Sequence, residues 1–234
     1  MNVLIIHAHP EPKSFNAAMT RTATAALQEA GHSVVVSDLY AMDWQPVSDR
    51  RNFNSVVEPE FFKQQVEEQW ASENRGYADD IQGELNRIEQ ADLLIFQFPL
   101  WWGGMPAILK GWIDRVLALG VTYGYGQWYD EGLLKGKRAM ISVTTGGPES
   151  MYESDGLNGD VNGLLNPMQY NILRFVGLDV LPPFISWAPG SIDEAGRKSL
   201  LRDYAKRLAS LDECQPIPYT HLREYDPATM RLAK

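Results

Sequence analysis

The chain has 234 residues, enough for one large domain, and its 44% hydrophobic content supplies a substantial core. A formal charge of −9 argues against non-specific binding to nucleic acid or to an anionic membrane surface. The single cysteine, Cys214, excludes an intrachain disulfide, a CxxC redox pair and a cysteine-ligated zinc site.

The first residues, MNVLIIHAHP, lack a basic n-region, and their apolar run is too short for a signal peptide. No run reaches the ~18 apolar residues of a membrane span, so a cytoplasmic protein without membrane insertion is expected. Val3–Ile6 reads as a strand buried on both faces. In the segment that follows, Phe15, Met19, Ala23, Ala26, Leu27 and Ala30 fall on one side at helical spacing, and Gly31 is a natural stop. Ser33–Ser37 gives a second strand, and residues 41–76 form a long polar insertion dotted with aromatics. Ile81, Leu85 and Ile88 mark an amphipathic helix leading into ADLLIFQFPL, the most strand-like run in the chain. Pro106 suits the first turn of a helix over Ala107–Leu119. Ala139–Val143 is a fourth strand, Gly163–Val176 a helix, Val180–Ser186 a fifth strand and Asp193–Leu211 a closing helix. Residues 212–234 form a tail without clear periodicity. Strands alternating with helices predict an α/β domain over residues 1–211: a parallel sheet of order 2-1-3-4-5 with helices on both faces.

Ligands of such sheets bind beyond the carboxyl ends of the strands. In HAHPEPKSFN, Ser14 and Asn16 are good N-cap residues, and a helix start offers free N–H groups to a phosphate. His7 and His9 lack a carboxylate or cysteine at metal-ligand spacing, so no metal is expected. In QFPLWWGGMP, Trp101 and Trp102 leave a buried strand and meet two glycines, which suits a flat aromatic ligand. In TTGGPESMY, Thr144, Thr145, Gly146 and Gly147 present successive backbone N–H groups, a nest for an anionic ring edge. In VTYGYGQWYD, Tyr123 and Tyr125 could direct two phenols at one carbonyl oxygen. Taken singly, these loops also read as ordinary capping, core or dimer-interface packing, a plain strand–turn and, for the glycine-flanked tyrosines, a recognition surface for another chain. All four are expected at the same end of the sheet. GxGxxG and GxSxG are absent, GLLKGK has the wrong spacing for a phosphate loop, and Asp79–Asp80 reads as a solvated face.

AHPEPKSFNAAM, ADLLIFQFPLWWGGMPAILKGWIDRV, YGYGQWYD, TTGG with SMY, and GLNGDVNGLLNPMQ together resemble the flavodoxin-like NAD(P)H:quinone oxidoreductases, the DT-diaphorase group, from Val3 to about Leu211. The resemblance implies a flavodoxin-like fold and non-covalent FAD, in preference to FMN. It further implies NAD(P)H as co-substrate and a homodimer with its flavin sites at the interface. The implied activity is ping-pong reduction of quinones by hydride. His9, Ser14, Phe15 and Asn16 match positions at the pyrophosphate and ribityl region. Pro99, Leu100, Trp102, Gly103, Thr144, Thr145, Gly146 and Gly147 match the loops beside the ring, and Tyr152 a phenol near it. Arg197 and Leu201 match residues near the adenosine half. Tyr123, Tyr125 and Phe175, with Trp102, match the substrate pocket, to which the partner subunit contributes. Asn158 stands where well-studied members carry a histidine that shares the charge gathered on the flavin with the matching tyrosine. Asparagine cannot titrate near neutrality, which leaves Tyr152 and the nest to that task. Two other readings remain: a flavin-bearing regulatory subunit of a potassium-efflux system, and a flavodoxin-like electron carrier.

Overall fold

The computed structural model describes residues 1–233. Five parallel strands, β1 (Asn2–His7), β2 (Ser33–Asp38), β3 (Leu93–Pro99), β4 (Arg138–Thr144) and β5 (Asp179–Ser186), form one sheet in the order β2-β1-β3-β4-β5. Every residue of β3 is buried, as a central strand covered on both faces requires. Alternation along the strands separates two cores. Val3, Ile5, Leu93, Ile95, Met140 and Leu181 face α1 (Phe15–Glu29) and α6 (Glu194–Ala209). Leu4, Ile6, Leu94, Phe96, Phe98, Ile141 and Val143 face α3 (Asp79–Gln90), α4 (Ala107–Val116) and α5 (Val161–Met168). Burying each such side chain contributes about 1.5–3 kcal/mol, so these two layers dominate stability.

The edge strand β5 carries Pro182 and Pro183, which cannot donate to a ladder, and the β4–β5 register slips between Met140 and Ser142. The helix expected over Gly163–Val176 is two elements: Pro167 lies inside α5, and the chain continues as a π-helical turn, Gln169–Arg174. Removing an amide and crowding the preceding carbonyl disturbs the α ladder at that point. The helix expected to reach Leu119 stops at Val116, because Ala118 N–H turns back onto the Val116 carbonyl at 2.9 Å.

The insertion 41–76 contains a helix its polar sequence did not suggest, α2 (Gln64–Asn74). It is stapled to the domain by buried Arg115 of α4, which donates to Asn52 Oδ1 at 2.9 Å, Gln45 O at 2.9 Å and Asp80 Oδ2 at 2.7 Å. Asp80, exposed together with Asp79 as a solvated face requires, is also the partner of a buried guanidinium. The approach is close: a Cβ on Gly111 would stand 2.2 Å from Pro46 O. Beyond α6 the tail ends in a two-residue hairpin, Tyr225–Asp226 against Arg231–Leu232.

Candidate functional site

Because all five strands are parallel, the loops after β1, β3, β4 and β5 gather at one end. Ser14 caps α1 by accepting from Ala17 N at 3.1 Å. The N–H groups of Phe15 and Asn16 at the head of that helix have no intrahelical acceptor and point outward. Asn16 itself is buried: its Nδ2 donates to Thr144 Oγ1 at 2.9 Å, and its Oδ1 accepts from Gln97 Nε2 at 2.8 Å. This chain ties the start of α1 to the ends of β3 and β4, so Asn16 and Thr144 brace the loops through one another. His9 accepts from Glu11 N on Nδ1 at 3.0 Å, which leaves Nε2 as its donor, and its ring lies 6.1 Å from that of Trp101. His7 is buried and bonded to Thr20 Oγ1 at 2.9 Å. Burial lowers its pKa against the raising influence of Asp38, and it takes no part in the surface of the site.

After Pro99 closes β3, Leu100 N–H bonds Thr144 O at 2.8 Å, and Trp101 and Gly104 pair across a tight turn at 3.0 and 2.9 Å. The two central residues, Trp102 and Gly103, both adopt positive φ, +53° and +72°. That is a type I′ geometry, costly for a tryptophan. The indole is fully exposed, so this strain holds a large flat apolar face in solvent. Next to it, Thr145 is fixed by Thr145 Oγ1 donating to Gly147 O at 2.8 Å and accepting from Ala188 N at 3.2 Å. Among the described residues, the N–H groups of Gly146 and Gly147 have no protein acceptor. A Cβ on Gly146 would enter open space, whereas one on Gly147 would meet Met151 Sδ at 2.6 Å. Tyr152 is buried against Trp187, ring centroids 5.4 Å apart. Trp187 was missed from sequence, although it directly follows β5 at the ligand end. Asn158 lies exposed on the next turn, its N–H bonded to Met151 O at 2.8 Å. Arg197 and Leu201, both half-buried, sit on the first two turns of α6, where Arg197 donates to Ile192 O.

The fourth loop departs from expectation. Residues 117–137 run from the far end of α4 to the start of β4, which places them at the amino ends of the strands, opposite the other three loops. Tyr123 packs edge-on against Phe175 at 5.4 Å, Trp128 stacks on Phe175 at 6.3 Å, and Tyr129 N donates to Phe175 O at 2.8 Å. Nor are the two phenols equivalent. Tyr123 is half-buried and its Oη accepts from Gln65 Nε2 at 3.3 Å, whereas Tyr125 is 75% exposed at the tip of the Gly124–Gln127 turn. Burial raises the Tyr123 pKa, against the Gln65 hydrogen bond, with the Glu68 and Tyr125 charges acting in the same direction as burial. Tyr123 is thus a neutral donor throughout the physiological range.

An exposed stacking face, a helix N-terminus and a glycine nest at the carboxyl ends of a 2-1-3-4-5 sheet are the equipment of a flavodoxin-like protein. The profile of the flavodoxin-like fold matches residues 1–208. The human ribosyldihydronicotinamide dehydrogenase [quinone] is 45% identical over 219 residues, 93% of this chain and 95% of that one. The guinea-pig (Cavia porcellus) NAD(P)H dehydrogenase [quinone] 1 is 42% identical over 224 residues, covering 95% of this chain and 82% of that one. A crystal structure from Klebsiella pneumoniae, provisionally assigned as a quinone reductase, superposes with a TM-score of 0.94 at 38% identity, covering 99% of this chain and 93% of that one. The chain belongs to the flavodoxin-like NAD(P)H:quinone oxidoreductase family and is an oxidoreductase enzyme. Among the described residues no helix is long and apolar enough to cross a membrane.

Proposed function

We propose that the protein binds FAD and reduces quinones by two electrons in a ping-pong reaction with a dihydronicotinamide donor, as a homodimer. A flavin and NAD(P)H are implied by the family. The choice of FAD is supported by the half-buried Arg197 and Leu201, which extend the site beyond the ring loops. The observation that carries the dimer is the separation of the two site components. The nest and Trp102 stand at the carboxyl ends, while Tyr123, Tyr125 and Phe175 stand at the amino ends. One subunit's aromatic cluster meets a flavin loop only on a second copy. The relation to ribosyldihydronicotinamide dehydrogenases adds dihydronicotinamide riboside to the donors to be tested.

The flavin, when bound, accepts the electron pair of the donor and passes it to the acceptor. The protein's part is arrangement. The Phe15 and Asn16 amides and the Ser14 hydroxyl would hold the pyrophosphate, with His9 Nε2 an additional donor. Gly146 and Gly147 amides would face the ring edge where negative charge develops, at no reorganisation cost. Leu100, Trp102 and Gly103 would flank the ring, and Tyr152 would place its phenol beside it. Tyr123 and Tyr125 would donate to the acceptor's carbonyl while Phe175 packs its ring, and Asn158 would hydrogen-bond near the ring without titrating.

The test is direct. The purified protein should be yellow, release FAD on chromatography, sediment as a dimer, and oxidise NADH, NADPH or dihydronicotinamide riboside with menadione. A colourless protein that flavin cannot reconstitute, or a flavin-loaded one without turnover, would refute the proposal.

A further inference from the structure

Helix α2 does something a polar sequence rarely does: it buries two acids, Glu67 and Glu68. Carboxylates are seldom fully buried unless paired. Glu67 accepts from Val57 N at 2.8 Å and Glu58 N at 3.1 Å, with Arg50 Nη1 3.7 Å away. Glu68, only 3% exposed, has no cationic partner among the described residues. Its Oε2 accepts from Leu119 N at 2.8 Å and its Oε1 from Gln64 Nε2 at 2.7 Å. Burial pushes its carboxyl above the usual range, against those two hydrogen bonds.

The Leu119 amide is the point from which the tyrosine loop starts. Leu119 pairs with Tyr123, and Gly120 N donates to Tyr123 O at 2.8 Å. Gly120 makes the bend with φ +83°, and a Cβ there would lie 2.5 Å from Ser72 Oγ on α2. Three residues before Glu68 on the same helix, Gln65 holds the Tyr123 hydroxyl. Tyr77 Oη donates to Glu68 O at 3.0 Å and secures the helix from behind. One helix thus grips the loop at its first amide, its bend and its phenol.

We infer that Glu68 is a positioning residue of the acceptor pocket: its buried carboxylate, through the Leu119 N–H, fixes the turn that presents Tyr123. The inference rests on the reading of Tyr123 as an acceptor-site donor. Without the carboxylate, the Leu119 amide is left buried and unpaired, and the turn must open to satisfy it.

The flavin-loaded dimer of Glu68→Leu should show a menadione KM raised about tenfold with kcat and flavin content nearly unchanged. Chymotrypsin should cut after Tyr123 and Tyr125 faster by a similar factor. Glu68→Gln, whose carbonyl can still accept from Leu119, should stay within about twofold of wild type on both readouts. Glu67→Leu, which frees only the 57–58 amides, should lower Tm without moving KM. If Glu68→Leu does not fold, Glu68→Asp, which withdraws the oxygen from Leu119 while keeping a carboxyl group, carries the same test. Wild-type KM and cleavage rate in Glu68→Leu would overturn the inference, as would an equal rise in KM from Glu67→Leu. A wild-type protein without quinone turnover would sink the proposed function instead, and the cleavage rates would still decide whether Glu68 anchors the loop.

Discussion

At the carboxyl ends of the strands, the groups left free are largely backbone: the amides at the head of α1, those of Gly146 and Gly147, and a strained turn that lifts Trp102 into solvent. At the amino ends, the aromatic cluster is held almost entirely by side chains and by backbone packed on backbone. Tyr123 is gripped by Gln65, Trp128 and Phe175 stack, and Gly132 lies against Gly177. The first region is open, with free amides beside an exposed flat ring, which suits the anionic, planar guest proposed above. The second is filled by its own residues and presents only an edge. The proposed cofactor cradle would tolerate little change of backbone while few of its groups support the fold, whereas the aromatic edge is part of the fold itself.

The two glycine pairs offer the largest contrast. A Cβ on Gly132 would stand 2.3 Å from the Val176 carbonyl carbon, so Gly132→Ala must push the aromatic loop off Phe175. We expect a loss of about 2–3 kcal/mol in urea unfolding, together with loss of turnover. Gly146→Ala meets nothing within 4 Å and should leave stability within about 0.5 kcal/mol, while weakening flavin binding about tenfold in a titration. Equal destabilisation by both would erase the distinction between cradle and edge.

Ser14→Ala tests where fold and cradle overlap. Loss of the cap on α1 should cost about 1 kcal/mol by thermal or urea unfolding, and should weaken flavin binding as well. A variant that loses stability with undiminished flavin affinity would place the phosphate elsewhere.

Trp102→Gly removes a fully exposed ring from a position at φ +53°. Relief of the left-handed strain and the added entropy of glycine in the unfolded chain nearly offset, so stability should change by about 0.5 kcal/mol or less. The KM for donor or acceptor should nevertheless rise in steady-state kinetics. A marked fall in Tm would show that the indole serves packing after all.

Much of this was legible because it is local. Buried apolar runs marked the five strands, Ser14 marked the head of α1, and paired glycines marked a turn whose amides stay free. What escaped the sequence depends on contacts between distant residues. Nothing in QQVEEQWASEN signals that two of its acids serve as acceptors for amides at 57, 58 and 119, so α2 read as part of a polar insertion. Asp80 is solvated as its sequence suggests, but its pairing with Arg115, 35 residues on, has no local signal. The tyrosine loop was assigned to the wrong end because its residues advertise a ligand while its position follows only from the course of α4. The single helix expected through Val176 ignored Pro167, a local signal that could have been heeded.

The smallest effect concerns how the tail is fastened to the aromatic edge. Asp130 accepts from Arg174 and from Leu222 N–H, and His221 Nδ1 lies 3.2 Å away. Burial opposes its ionisation, but the Leu222 amide and Arg174 outweigh it and hold the Asp130 pKa below its ordinary value. With the tail detached or the chain unfolded, Asp130 therefore binds a proton first as the solution is acidified. The latch contributes fully above the ordinary carboxylate pKa of about 4 and is lost as pH falls through the lower folded value. Hydrogen exchange should report a Leu222 protection factor that is level from neutrality to about pH 4 and declines below it, with global stability little affected at the onset. Asp130→Asn should give a low protection factor without that decline. Protection in the wild type that ignores acid would mean that the edge-on packing of Tyr219 against Tyr170, ring centroids 5.2 Å apart, holds the tail instead.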